Sequence, residues 1–507
     1  LLGDGVTYLG LDSSTQSLSA VLIAVEQGRA SVVWEHTLAF DEALPQYGTT
    51  HGVLPSADPE VAVSSPQMWA EALELMFEAL VAGGHDLSGL RAISGSAQQH
   101  GSVYLAADGS FSRLVSPIWM DTSTADECDD ITEALGGADV LAQRTGSRAF
   151  ERFTGPQIRR CMVTDPHAYA ETTRIHLVSS FLASRLIDGD TPVEPGDASG
   201  MNLMDLATHD WWPDAVEATA PGLIARLPRI VPADTIIGTL ASSWQVRFHL
   251  PPASVVVWTG DNPSSLIGTG LIEEGLVAVS LGTSDTIFGL MREPRVDAGG
   301  TGHVFGAPTG DYMGITVFRN GSLARERVRD EHGLDWDGFS AALRATPVGN
   351  HGRLMYPWFA PEITPDVPVA GVRRVDLDPA DGPANVRAVV EAQMMAMANH
   401  SRWMGVDVRT IHATGGAAIN PDILQVMADV FDAEVRRFNV TNSACLGAAL
   451  RAWHADAAAS GTPISWHDVV RDLAQPTGSA ITPRPEAVAV YRDLRRRYLE
   501  GEHGRAR

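Results

Sequence analysis

Two stretches of the chain share one arrangement of apolar and small polar positions. Val6 to Glu26, "VTYLGLDSSTQSLSAVLIAVE", is an apolar run, a turn of hydroxyl residues (Ser13, Ser14, Thr15) and a second apolar run. Gly275 to Met291, "GLVAVSLGTSDTIFGLM", repeats the scheme around Gly282, Thr283, Ser284 and Asp285. Both predict β-hairpins. Two like units, each near the start of a half, predict a duplicated fold, with domains 1–262 and 263–507.

Helical periodicity alternates with strand-like runs in both halves. In "SPQMWAEALELMFEALVAGG", Ser65 is the expected N-cap and Pro66 the first helical residue, with Met68, Trp69, Leu73, Met76 and Leu80 on one face. "RAISGSAQQHGSVYLAADG" predicts strand, turn, strand. Later, "VRAVVEAQMMAMANHSRWM" predicts a long helix, "IHAT" a strand, "PDILQVMADVFDAE" a helix capped by Asn420, "VRRF" a strand and "SACLGAALRAWHA" a helix. Mixed strands and helices of these lengths predict α/β domains, and the cleft between two such domains is the expected ligand site.

Composition narrows the partners. The net charge of −25 over 507 residues disfavours nucleic acid and anionic membranes. No apolar run approaches the ~20 residues of a membrane span. No basic segment precedes the first apolar stretch, so no secretory signal is expected. Cys128, Cys161 and Cys445 are far apart and lack metal spacing, as expected of reduced thiols in a cytoplasmic protein. All 37 basic residues are arginine. Without lysine, a P-loop, whose lysine holds the phosphates, is excluded.

The candidate chemistry lies in the turns. Backbone N–H groups and short hydroxyls in a Gly/Ser/Thr turn are anion donors, and two such turns in matched positions suit a polyphosphate. Ser, Thr and Gly are also ordinary turn residues. Asp12, beside the first turn, would repel phosphate unless a cation such as Mg²⁺ lay between them; alternatively it caps its own turn. In "ATGGAAIN", Gly415 and Gly416 permit close approach of a flat ligand, while Asn420 can bond a ribose or base edge or simply cap the next helix. "GSAQQHGS" presents Gln98, Gln99 and His100, groups suited to a polyhydroxylated ligand, although a lone histidine is often structural. In "VVVWTGDNPSSLIGTG", Asn262 before Pro263 is an expected helix cap, which leaves Asp261 without a capping role. A carboxylate at a strand end beside a helix start can accept the proton of an attacking hydroxyl; it can also stabilise its turn.

Taken in order, "SAQQHGS", "WMDTSTADEC", "TGSRAFERFTGPQI", "RIHLVSSFLAS", "SGMNLMDL", "TGDNPSSL", "AVSLGTSDT", "NGSLARE", "ATGGAAINPDILQVMADVFDAEV" and "NSACLGAA" resemble the FGGY family of carbohydrate kinases over nearly the whole chain. They are most similar to the members that act on xylulose, in their eukaryotic form. The resemblance implies a duplicated actin-like, ribonuclease-H-like α/β fold with an interdomain cleft. It also implies ATP- and Mg²⁺-dependent phosphorylation of a pentulose, with D-xylulose expected and ribulose or another polyol the alternative; a non-catalytic sugar sensor is the reading from outside enzymology. By resemblance Asp261 is the base toward the 5-hydroxyl, and Gln99, His100, Arg174, Asp261 and Asn262 contact the sugar. Gly282, Thr283 and Ser284 hold the nucleotide phosphates. Gly415, Gly416 and Asn420 hold the adenosine, and Trp336 lies near the base. Asp12 and Thr15 lie near the γ-phosphate, with Asp12 as metal ligand. A homodimer is common in the family. Many members carry glycine where Ser14 stands here, which marks a subgroup.

Overall fold

The first sheet is built on the predicted hairpin. The computed structural model describes residues 5–297, 299–439 and 442–503. Its strands β1 (Val6–Ser13), β2 (Ser17–Glu26), β3 (Arg29–Ala39), β4 (Leu90–Ala97), β5 (Ile236–Thr239) and β6 (Ser254–Val256) lie in the order β5-β6-β4-β1-β2-β3, and β7 (Thr259–Gly260) also pairs with β4. β1, β2 and β3 are antiparallel neighbours, whereas β1, β6 and β7 each run parallel to β4.

The second sheet repeats this plan. β8 (Leu276–Leu281), β9 (Asp285–Met291), β10 (Tyr312–Phe318), β11 (Thr410–Thr414), β12 (Glu434–Arg437) and β13 (Thr477–Ile481) follow the order β10-β9-β8-β11-β12-β13. β8 and β9 form the predicted hairpin, β8, β11 and β12 are parallel, and β13 is an antiparallel edge. The duplication is thus one of strand order and direction, beyond the hairpins that announced it.

β1 and β2 read as near-continuous apolar runs because both faces are covered. The helix Pro66–Ala82 packs on one side, with Met68, Trp69, Leu73, Met76 and Leu80 buried and Ser65 Oγ accepting from Met68 N at 3.3 Å as the N-cap. The helix Ser443–Ala459 packs against β1 and β4. It comes so close that a Cβ on Gly10 would lie 2.2 Å from the Cys445 carbonyl oxygen, so this register of β1 admits only glycine.

That returning helix makes the first compact unit discontinuous in sequence. One unit comprises Leu1–Ile272, Val304–Met313 and Thr441–Gln475, and the other Glu273–His303, Gly314–Val440 and Pro476–Arg507. The division does not fall at Asn262, because the helix Asp261–Gly268 packs along the Ser443–Ala459 helix and belongs with the first sheet. All three cysteines are free and buried. Among the described residues, no helix is long and apolar enough to cross a membrane.

Candidate active site

In the first unit, three parallel strands end together. Asp12 of β1 is level with Ser96 of β4, which is level with Thr259 of β7. One row further on, Ser13, Ala97 and Gly260 align. Asp12 and Asp261 therefore stand at the carboxyl ends of the strands on either side of β4, where α/β sheets bind ligands.

Asp261 is the first residue of its helix, with Gly260 as N-cap. The expected capping role of Asn262 is not observed. Its N–H and Nδ2 both donate to Asp261 Oδ1, at 2.8 and 3.0 Å, and Nδ2 also donates to Gln99 Oε1 at 2.9 Å. The reason is steric access: a Cβ on Gly260 would sit 2.4 Å from Gln99 Cγ, so the glycine brings the Gln99 side chain onto the strand end and hence to the Asn262 amide. Asp261 Oδ2 accepts no hydrogen bond among the described residues. Burial, then the nearby Asp12 charge, raise the Asp261 pKa to about 7 against the Asn262 N–H. Asp12 accepts from Ser96 Oγ at 2.7 Å through Oδ1, and burial raises its pKa to about 6. Thr15 Oγ1 accepts from Trp119 Nε1 at 2.8 Å.

His100 occupies the left-handed region at φ 75°, a conformation that non-glycine residues hold mainly where the surroundings demand it. Its Nδ1 is 2.7 Å from the Gly200 carbonyl. A carbonyl only accepts, so Nδ1 carries the proton and Nε2 is the acceptor. Burial, then the Arg152 charge, push its pKa to about 3, so the ring is neutral at physiological pH.

The arginine beside His100 is Arg152; Arg174, expected to contact the sugar, is placed elsewhere. Arg174 donates to Asp190 Oδ2 at 2.7 Å and to the Leu227 carbonyl at 2.8 Å. Its strand, Arg174–Leu177, pairs antiparallel with Ser102–Leu105, and Arg174 faces Leu105 at the end remote from His100. Arg152 lies over the Phe153 ring, which packs 4.5 Å from the His100 ring. Its run, "AFERF", immediately precedes the helix Thr154–Thr164.

In the second unit, Gly282, Thr283 and Ser284 form the turn between β8 and β9, closed by the Leu281–Asp285 pair. Asp285 begins β9 and is no part of the turn. Its two oxygens accept from Arg325 at 2.7 and 3.0 Å in a fully buried pair, which Gln393 Oε1 joins at 2.9 Å. Gly282 O accepts from Ser322 N at 2.8 Å. Gly415 follows β11 at φ 85°, and a Cβ there would lie 2.6 Å from the Leu281 carbonyl oxygen, so the Gly415-Gly416 loop lies against the end of β8 beside the turn.

Asn420 caps the helix Pro421–Phe431 through Oδ1, which accepts from Asp422 N and Ile423 N, and its Nδ2 donates to Ser340 Oγ at 2.7 Å. Ser340 belongs to the helix Trp336–Ala345. That helix begins with Trp336, which is 42% exposed with the Arg329 guanidinium over its ring. Ile419, next to Asn420, is 69% exposed. Both leave apolar surface beside the glycine loop. Among the described residues, no three His, Cys, Asp or Glu side chains cluster as a metal site.

A duplicated sheet of this order, with paired small-residue turns and a carboxylate at the ends of parallel strands, defines an actin-like, ribonuclease-H-like phosphotransferase fold. The chain belongs to the FGGY family of carbohydrate kinases: the family's N-terminal domain matches residues 7–268 and its C-terminal domain residues 277–455. It is 41% identical to a xylulose kinase of Rattus norvegicus, over 97% of this chain and 96% of that protein. It is 38% identical to xylulose kinase 2 of Arabidopsis thaliana, over 88% and 87%. The crystal structure of a xylulose kinase from Rhodospirillum rubrum superposes with a TM-score of 0.85 at 20% identity, covering 98% of each chain. As a carbohydrate kinase, the chain takes ATP as phosphoryl donor.

Proposed function

We propose that the protein phosphorylates D-xylulose to D-xylulose 5-phosphate, with Asp261 as general base. The observation that supports this most is the division of labour within one carboxylate: Oδ1 is tied to Asn262 while Oδ2 accepts no hydrogen bond among the described residues, in surroundings that raise the pKa to about 7. Such a group is ionised and still basic near neutral pH. Oδ2 accepts the proton of the 5-hydroxyl as that oxygen bonds to the γ-phosphorus. The bond from the γ-phosphorus to the bridging oxygen breaks, and ADP leaves with the electron pair.

Neutral His100 accepts a hydrogen bond from a sugar hydroxyl at Nε2. Arg152 and the Gln99–Asn262 pair complete the sugar pocket. Backbone N–H groups of Gly282, Thr283 and Ser284 hold the nucleotide phosphates; Gly415, Gly416, Asn420 and Trp336 receive the adenosine. The donor set at Asp12 fits Mg²⁺, because one oxygen is held by Ser96 and the other accepts no hydrogen bond among the described residues. Mg²⁺ typically takes one or two carboxylates plus water and phosphate oxygens, and when bound it would neutralise charge on the triphosphate. Asp12, with Thr15 nearby, would hold it.

The choice of sugar draws on the xylulose kinases to which the chain is similar. ADP release with Mg-ATP and a panel of ketoses and polyols tests it. Turnover with D-xylulose that Asp261→Ala abolishes while sugar binding persists is the expected result. Turnover with a different ketose alone would replace the sugar, and no sugar-stimulated release from folded protein would overturn the reading.

A further inference from the structure

The proposed base is held by a closed circuit of bonds, and one residue in it has no assigned role. Glu194 is 0% exposed. Its Oε2 accepts from Gly196 N at 2.9 Å, and its Oε1 accepts from Asp197 N at 2.9 Å and from Thr259 Oγ1. The first two bonds cap the four-residue helix Pro195–Ala198. A buried carboxylate is an expensive cap for so short a helix, since Ser, Thr or Asn would serve without a charge.

Thr259 gives the charge a further role, because it stands two residues before Asp261. From Gly196 the path continues through its carbonyl, which accepts from Gln99 Nε2 at 3.2 Å. Gln99 Oε1 accepts from Asn262 Nδ2, which also donates to Asp261 Oδ1. The main chain from Asp261 back through Gly260 to Thr259 closes the ring at Glu194. Only Asp261 Oδ2 is left outside it.

The charge is balanced from behind. Arg451, 2% exposed on the Ser443–Ala459 helix, donates to the carbonyls of Val257, Ala233 and Gly95 at 2.8, 3.1 and 3.3 Å and to Ser94 Oγ at 3.4 Å. Among the described residues, no carboxylate is within ion-pair distance of it. Its guanidinium thus ties β4 to Val257, just after β6, and to Ala233 through neutral acceptors, while its charge acts through space on Glu194, Asp197 and Asp234. Burial raises the Glu194 pKa; Arg451, Thr259 and the two N–H donors oppose it.

We propose that Glu194, backed by Arg451, is a positioning residue for phosphoryl transfer, which fixes Thr259 and the Gln99–Asn262 pair so that Asp261 Oδ2 alone faces the acceptor hydroxyl. This rests on Asp261 as base. Glu194→Gln keeps the shape but removes the charge and one of the acceptors, leaving Thr259 or an N–H unpaired. A base displaced by about 1 Å loses up to about 100-fold in rate. The expected result is a fall in kcat of about 10- to 100-fold with the KM for ATP unchanged.

The decisive measurement is kcat in four proteins: parent, Glu194→Gln, Asp261→Asn and the double variant, with folding checked by circular dichroism. If Glu194 acts through Asp261, the double variant is no slower than Asp261→Asn. Multiplicative losses, or parental kcat in Glu194→Gln, overturn the proposal. Should Glu194→Gln not fold, Thr259→Val, which deletes the bond from the other side, replaces it in the same cycle: non-additive losses support the proposal, and multiplicative ones overturn it. Parental activity in Asp261→Asn removes the base itself, a failure distinct from that of Glu194.

Discussion

The two hairpin turns occupy equivalent places in two sheets of the same order, and each has an aspartate at its edge, Asp12 half-buried and Asp285 buried. The aspartates are treated in opposite ways. Asp285 is saturated: Arg325 takes both of its oxygens in a dry pair, and the result is a turn of fixed shape. Asp12 has only a serine hydroxyl for company, with Asp261 as a second half-buried carboxylate nearby, and its pKa climbs to about 6. Asp12 stands near the end of the first strand of its hairpin and Asp285 opens the second strand of the other, and the two differ further in whether the fold supplies the cation. One aspartate is part of the frame, and the other is left for a ligand to complete.

The largest expected effect comes from removing the open carboxylate. Asp261→Asn should lower kcat about 10³-fold, the scale of a general base, with D-xylulose binding retained by calorimetry. Breaking the closed pair should instead cost stability. Arg325→Met leaves Asp285 buried and unpaired, and a loss of about 3–5 kcal/mol is expected from denaturant titration. Should Arg325→Met lower kcat and leave stability untouched, the division into frame and site is wrong.

Asp12→Asn should act in the contrary sense. Folded Asp12 and Asp261 have pKa values of about 6 and 7, above the ~4 of an unfolded aspartate. Stability is therefore lost as pH rises from about 4 through those values, because the unfolded chain releases the protons first. The neutral asparagine escapes that loss, so the melting temperature of Asp12→Asn at pH 8 should exceed the parent's while activity falls. The free enzyme's kcat/KM should lose activity below about pH 7 as Asp261 protonates, and Asp12→Asn should move this limb to lower pH. The smallest effect is expected at Arg174: Arg174→Ala should change the sugar KM less than about threefold, whereas Arg152→Ala should raise it by 10-fold or more, about 1.4 kcal/mol of binding.

Both hairpins, the capped helix after Ser65 and the long helix ending at His400 were legible because their signals are local: apolar period, small turn residues, Ser-Pro and Asn-Pro starts. Asp261 was singled out as a carboxylate beside a supposed Asn262 cap, although the structure gives the N-cap position to Gly260. Asn262 was misread because its partner, Gln99, lies 163 residues away and no local pattern encodes that meeting. Arg174 was assigned to the sugar by resemblance alone, and the antiparallel register that sets it at the end remote from His100 is not encoded in any local pattern. Glu194 sits in "TPVEPGDASG", a run that reads as an ordinary turn; its importance arises from Thr259, 65 residues on.

The Ser443–Ala459 helix has a consequence for how the molecule is made. It covers β1 and β4 and delivers Arg451, yet it leaves the ribosome 171 residues after Ile272. At roughly 5–20 residues per second, an apolar sheet face waits on the order of ten to thirty seconds for its cover. The unit that is translated first is the one whose folding must wait for synthesis of the other, and nascent chains stalled before residue 443 should be the form that chaperones capture.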